Sequence, residues 1–182
     1  GLRNYASSLR DDNQLALAER IRKAALALAE ATKNTNMIAR SNIFLLEFSK
    51  GTGQWTAAEA TYVALQTNPP RKVFWQAVVE NFYAESLIVR ALEAGGALDK
   101  AEQLAIQGKN ALIYRQIKGW RGEVALLAGG YAAAQRWFEE CLELYRKSGS
   151  SFTGWVFGGL ARAYALQGDH ARAREIIETT EF

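Results

Sequence analysis

The chain holds one cysteine and one histidine, and such a pair forms a nucleophile with its base where the fold brings the two together. The surroundings of Cys141 and His170 argue against that chemistry. Cys141 ends the run Ala134, Phe138, Cys141, a small–bulky–small order at helical spacing, as on a face pressed against a neighbouring helix. His170 follows the turn Gly168-Asp169, where a ring is expected to pack. Lys50-Gly51-Thr52-Gly53 has the flavour of a phosphate loop, but neither the Gly-x-x-x-x-Gly-Lys-Ser/Thr order nor a preceding strand is present, so it reads as a turn between helices. The paired acids Glu139-Glu140 and Asp11-Asp12 lack a second carboxylate at a dependable distance and read as solvated helix faces. Trp55, Trp75, Trp120, Trp137 and Trp155 sit at helical spacing beside small residues, which points to packing rather than to stacking platforms. No catalytic residue, metal site or cofactor is expected, and the chain is read as a binding protein rather than an enzyme.

The elements carrying these residues are helices. In 182 residues there are two prolines, adjacent at Pro69 and Pro70, while 49% of the chain is hydrophobic and alanine and leucine run throughout. That composition predicts a nearly all-helical chain with one core over residues 1–182. The formal charge of +3 is spread out, the segments 1–34, 35–70, 71–112, 113–147 and 148–182 carrying +2, 0, 0, +2 and −1. No segment has the concentrated basic field of a nucleic-acid surface. A single cysteine allows no internal disulfide, which suits a reducing, cytoplasmic setting. No apolar run approaches the roughly 20 residues that span a bilayer, and membrane association is not expected. The start at Gly1, without Met, reads as that of a segment of a larger protein.

Helices are expected at 12–32, 36–50, 54–67, 71–94, 98–111, 112–128, 131–147, 152–167 and 170–180, with a short one near 2–9. They repeat as pairs. Gly129-Gly130-Tyr131 leads into Ala134, Phe138 and Cys141, and Leu160, Ala161 and Tyr164 precede Gly168-Asp169-His170, Ala173 and Ile177. Earlier copies run from Gly53 to Ala57, Ala64 and Pro69, and from Gly95-Gly96 to Ala101 and Ala105. The helix around Ala18 and Ala25 supplies half of another. The small residues Ala18, Ala57, Ala101, Ala134 and Ala173 then recur at spacings of 39, 44, 33 and 39. Small side chains at these places let two helix backbones approach, and the larger neighbours fill the gaps.

This scheme resembles the tetratricopeptide repeat superfamily over nearly the whole chain. The resemblance implies an all-α, right-handed superhelix of about four to five antiparallel helix pairs that binds protein or peptide ligands. The lengthened pairs, and the wording of residues 120–178, are similar to the helical-repeat sensor regions of bacterial LuxR-type ATP-dependent regulators and signal-transduction ATPases. That narrower likeness implies a sensor or partner-docking domain in a bacterial signalling or transcription-regulating protein.

In the register of the superfamily the first helix of each pair lines a concave groove. Its inward positions fall on Asn42, Leu46, Ser49 and Lys50, on Tyr83, Ser86, Arg90 and Glu93, on Gln116, Glu123 and Leu127, and on Trp155, Gly158 and Arg162. Aromatic area with arginines suits a peptide or a helix as ligand. A small-molecule inducer enclosed by Tyr83, Arg90, Glu123 and Trp155 is the alternative. Chaperone-binding members grip a C-terminal carboxylate with a Lys/Asn clamp; Leu46 and Arg90 stand in place of that Asn, so such a role is not expected. Ile176 and Ile177, near the end of the chain, raise the expectation of an apolar terminal face through which two copies pair.

Overall fold

The computed structural model describes residues 15–90, 93–149 and 154–179. Among these, nine helices follow one another: α1 Leu15–Ala31, α2 Thr35–Gly51, α3 Trp55–Thr67, α4 Val73–Val89, α5 Gly95–Gln107, α6 Ala111–Leu127, α7 Tyr131–Lys147, α8 Gly154–Leu166 and α9 His170–Thr179. Each helix packs on the next, and α2, α4, α6 and α8 also pack on one another in succession. The result is the all-helical stack of antiparallel pairs that the sequence pattern implies: α2/α3, α4/α5, α6/α7 and α8/α9, with α1 lying against α2.

Local chemistry repeats with the pairs. Inside a pair, the turn closes when the amide of Gln54, Gly130 or Asp169 donates to the carbonyl five residues earlier, that of Ser49, Ala125 or Tyr164. This bond needs a left-handed residue just before the donor, and Gly53, Gly129 and Gly168 provide it at φ of 72°, 75° and 85°. Between pairs, Lys33 and Lys109 take up φ of 52° and 49°, and the asparagine after each caps the helix that follows. Asn34 accepts from the Met37 amide at 3.1 Å and Asn110 from the Ile113 amide at 3.2 Å. Asn110 is buried and also donates to the Phe74 carbonyl at 3.3 Å, tying α6 to α4.

One apolar cluster runs from α2 to α6 and a second joins α7, α8 and α9, while Ala18 of α1 meets Phe48 of α2. Two close approaches meet at Phe138. A Cβ on Gly122 of α6 would stand 2.7 Å from its ring, and one on Gly159 of α8 2.4 Å from it. Phe138 therefore fills the space between two glycine backbones, and Ala134 and Cys141 complete that face of α7, all fully buried.

The structure corrects several sequence-based expectations. In α3 the buried face is Ala58 and Leu65, while Ala57 and Ala64 look outward, a one-residue shift that the pair Ala57-Ala58 conceals in the sequence. Gly95 and Gly96 are the first residues of α5 rather than a turn before it, and α4 stops at Val89 rather than at 94. His170 is exposed at the start of α9 and does not pack as a ring. The proposed helix near 2–9 and the pair Asp11-Asp12 lie outside the described residues. No described helix is long and apolar enough to cross a membrane.

Candidate functional site

The helices α2, α4, α6 and α8 form one continuous surface, and they are in phase. Their last residues are Gly51, Val89, Leu127 and Leu166. Glu47, Glu85, Glu123 and Arg162 stand one helical turn before those ends.

The charged members of this surface are engaged with neighbouring helices. Lys50 of α2 pairs with Glu85 of α4 and lies over the Phe82 ring. Arg162 of α8 pairs with Glu123 of α6. Burial pushes the Glu123 carboxyl above its ordinary range, and Arg162 offsets only part of that rise. Arg90 turns away to Glu59 of α3 and the Trp55 ring. Gln116 accepts from Asn81, whose amide lies 3.4 Å away, and Trp155 stacks on Trp120 at 4.6 Å above Gly119. Asn42 is half-buried. Leu46, Ser49 and Ser86 belong to the interior, Ser86 donating to the Tyr83 carbonyl at 2.7 Å, so these three offer a ligand nothing.

What stays open is an apolar rail. Val89, Leu127 and Leu166, the terminal residues of α4, α6 and α8, are 62%, 60% and 54% exposed. Of these only Leu127 is in the expected groove set; Val89 and Leu166 become visible once the helix ends are aligned. An aliphatic side chain at the same place in three successive units is a different feature from scattered surface leucines.

The second feature is a cleft of about 410 Å³ at the junction of α3, α4 and α5, bordered by Tyr83 and Glu93 from the expected set. Its base is Glu80, a carboxylate in the apolar run Val78-Val79-Glu80 and 2% exposed. Three groups satisfy it: the Tyr62 hydroxyl donates at 2.9 Å, the Gln66 amide at 2.8 Å, and the Lys100 ammonium pairs at 2.7 Å. Tyr62 lies flat on Tyr83 with ring centres 3.7 Å apart. Burial and then the Glu80 bond hold the Tyr62 hydroxyl well above the usual tyrosine range, so it stays protonated and donating. Arg90, Glu123 and Trp155 do not border this cleft, and the four side chains expected around a small molecule are held in separate contacts. The buried acid was the signal in the sequence that marks this place.

The Cys141 thiol donates to the Arg115 carbonyl at 3.2 Å, and burial pushes it up to about 12, which leaves it inert as a nucleophile near neutrality. Glu139 and Glu140 are not merely solvated: Glu139 accepts from the Tyr164 hydroxyl at 3.0 Å, and Glu140 pairs with buried Lys118 at 3.2 Å.

Architecture and surface together define a stack of antiparallel helix pairs, a helical-repeat fold. Residues 112–180 match the tetratricopeptide repeat family model, which supports the superfamily resemblance over that segment. The chain is similar in fold to the crystal structure of BtubC (BKLC) from P. vanneervenii, with a TM-score of 0.74 and 16% identity over 96% of this chain and 75% of that one. No curated protein matches the chain.

Proposed function

We propose that the chain is a non-catalytic scaffold that docks a protein or peptide along the helices α2, α4, α6 and α8. The observation that carries this reading is the rail of Val89, Leu127 and Leu166, exposed at equivalent places in three consecutive units. Neighbouring packed helices lie about 8–10 Å apart. A peptide in the polyproline II conformation advances roughly that distance in three residues, at about 3.1 Å each, and its three-fold turn returns every third side chain to the same face. A helix does so in about seven, at 1.5 Å each. Either ligand can present one apolar side chain to each rail residue, as in groove recognition of peptides and helices. The ion pairs beside the rail are already made within the scaffold, so apolar contact is assigned the larger share of affinity and the charges mainly orient the ligand.

The wording of residues 120–178 supports placing this scaffold in a bacterial signalling or transcription-regulating protein. Reading the whole gene is the direct check there, since an ATPase or DNA-binding module in the same product is expected. For the rail, capture from lysate with the wild type is compared with the triple variant Val89→Asp, Leu127→Asp, Leu166→Asp. These sites are at exposed helix ends, so helicity by circular dichroism should be unchanged while the captured set is lost. The same set recovered by a folded triple variant would move the docking surface elsewhere.

A further inference from the structure

The cleft at α3, α4 and α5 has a counterpart one unit along, at α5, α6 and α7, and the two are filled in opposite ways. Glu80 is the eighth residue of α4 and Lys118 the eighth of α6; Tyr83 and Arg121 follow at the eleventh place of each. At the α6 junction the protein supplies its own cations. Lys118 is buried between Glu102 at 2.8 Å and Glu140 at 3.2 Å, with its ammonium 4.9 Å from the Tyr114 ring centre and 5.1 Å from that of Trp137. Arg121 reaches Asp99 at 2.8 Å and Glu102 at 2.6 Å and lies 5.5 Å over Trp137. At the α4 junction the same two places hold an acid and a tyrosine, and the space is left as the cleft.

We propose that this cleft is a binding site for an organic cation, the guanidinium or alkylammonium of an arginine or lysine side chain on a partner. Two carboxylates, Glu80 and Glu93, face one ammonium, that of Lys100, so the site is short of one positive charge. The two tyrosines add ring faces that attract cations. Lys100 is half-exposed at the edge and can swing toward water, whereas Glu80 is fixed below by Tyr62 and Gln66. A Cβ on Gly96 would meet nothing within 4 Å, which leaves the approach past the first turn of α5 open. The volume lies within the range of about 300–1,000 Å³ found for small-molecule sites. A guanidinium bedded there reproduces what Arg121 does within the chain one unit along. This assignment stands apart from the rail, because none of Val89, Leu127 and Leu166 lines the cleft.

The test is an NMR titration of the isotope-labelled chain with N-acetyl-arginine amide. N-acetyl-citrulline amide serves as the neutral isostere and N-acetyl-glutamate amide as the acidic control. Saturable shifts are expected at the Gly96 and Ala97 amides and the Tyr83 ring with the arginine probe, and binding at least about tenfold weaker with citrulline. Glu93→Gln should weaken the arginine probe several-fold in a fully folded chain. Tyr83→Arg places in the cleft the side chain that α6 carries, and should abolish binding of the probe. Equal binding of citrulline, shifts produced by the acidic probe instead, or undiminished binding in folded Tyr83→Arg would each overturn the proposal.

Discussion

The α4 and α6 junctions occupy the same place in successive units, yet one is open and one is closed, and the difference lies in few side chains. At α6, Gly122 lets the backbone meet Phe138, while Lys118 ties α5 to α7 through Glu102 and Glu140, and Arg121 through Glu102 and the Trp137 ring. At α4 the equivalent of Gly122 is the buried Ala84, with Glu80 and Tyr83 at the charged places. One helical-repeat frame holds a buried cation or a buried anion equally well, provided both flanking helices supply the partners.

That comparison breaks most severely at Lys118. Lys118→Ala removes the buried cation that joins α5 to α7, leaving Glu102 to Arg121 alone and the half-exposed Glu140 without its partner, and a loss of about 3 kcal/mol is expected in chemical denaturation. A loss under about 1 kcal/mol would mean that the α6 junction is not held by its cation. Next comes Gly122→Ala, which installs the α4 residue against a ring only 2.7 Å away and should cost about 1–3 kcal/mol. A neutral result would show that Phe138 is free to move. The smallest effect belongs to Glu80→Gln, where the isosteric amide keeps an acceptor for Tyr62 and the half-exposed Lys100 finds water. A change of about 1 kcal/mol or less is expected, and a larger one would make Glu80 the keystone of its unit.

Acid sharpens the contrast. Burial alone would raise the Glu102 carboxyl, but bonds and charge from Lys118 and Arg121 hold it below its ordinary value of 4.5. A carboxylate depressed in the fold stabilises it above the unfolded pKa, and that stabilisation is lost as pH falls through the folded value. Glu123, raised by burial, acts in the opposite sense: its ionisation costs stability above its folded pKa, and protonation relieves that cost as pH falls. Melting temperature against pH should therefore drop on the acid side, below about 4.5, more steeply in the wild type than in Arg121→Ala. Parallel curves would remove Glu102 from the account.

Much of this frame was legible in residue sizes. Ala18, Ala101, Ala134, Phe138, Cys141 and Ala173 are all buried as the pairing pattern requires, because close helix approach tolerates only small side chains with a bulky filler. The slip at Ala57 arose where two adjacent alanines carry no size contrast. Single positions along the groove do not show that Lys50, Arg90 and Arg162 pair with carboxylates on neighbouring helices, since pairing across 31–39 residues has no local signature. The interval of 38 residues between Thr35, Val73 and Ala111 is more regular than the spacing of the small residues. It is the key that sets Glu80 against Lys118.

Hydrogen exchange on the chain with its captured partner bound tests the central claim most directly. Docking along the in-phase helices predicts slowed exchange at residues 85–90, 123–130 and 162–168, the turns beneath Val89, Leu127 and Leu166. Protection confined to the outer faces of α3, α5 and α7, with those three turns unchanged, would contradict it.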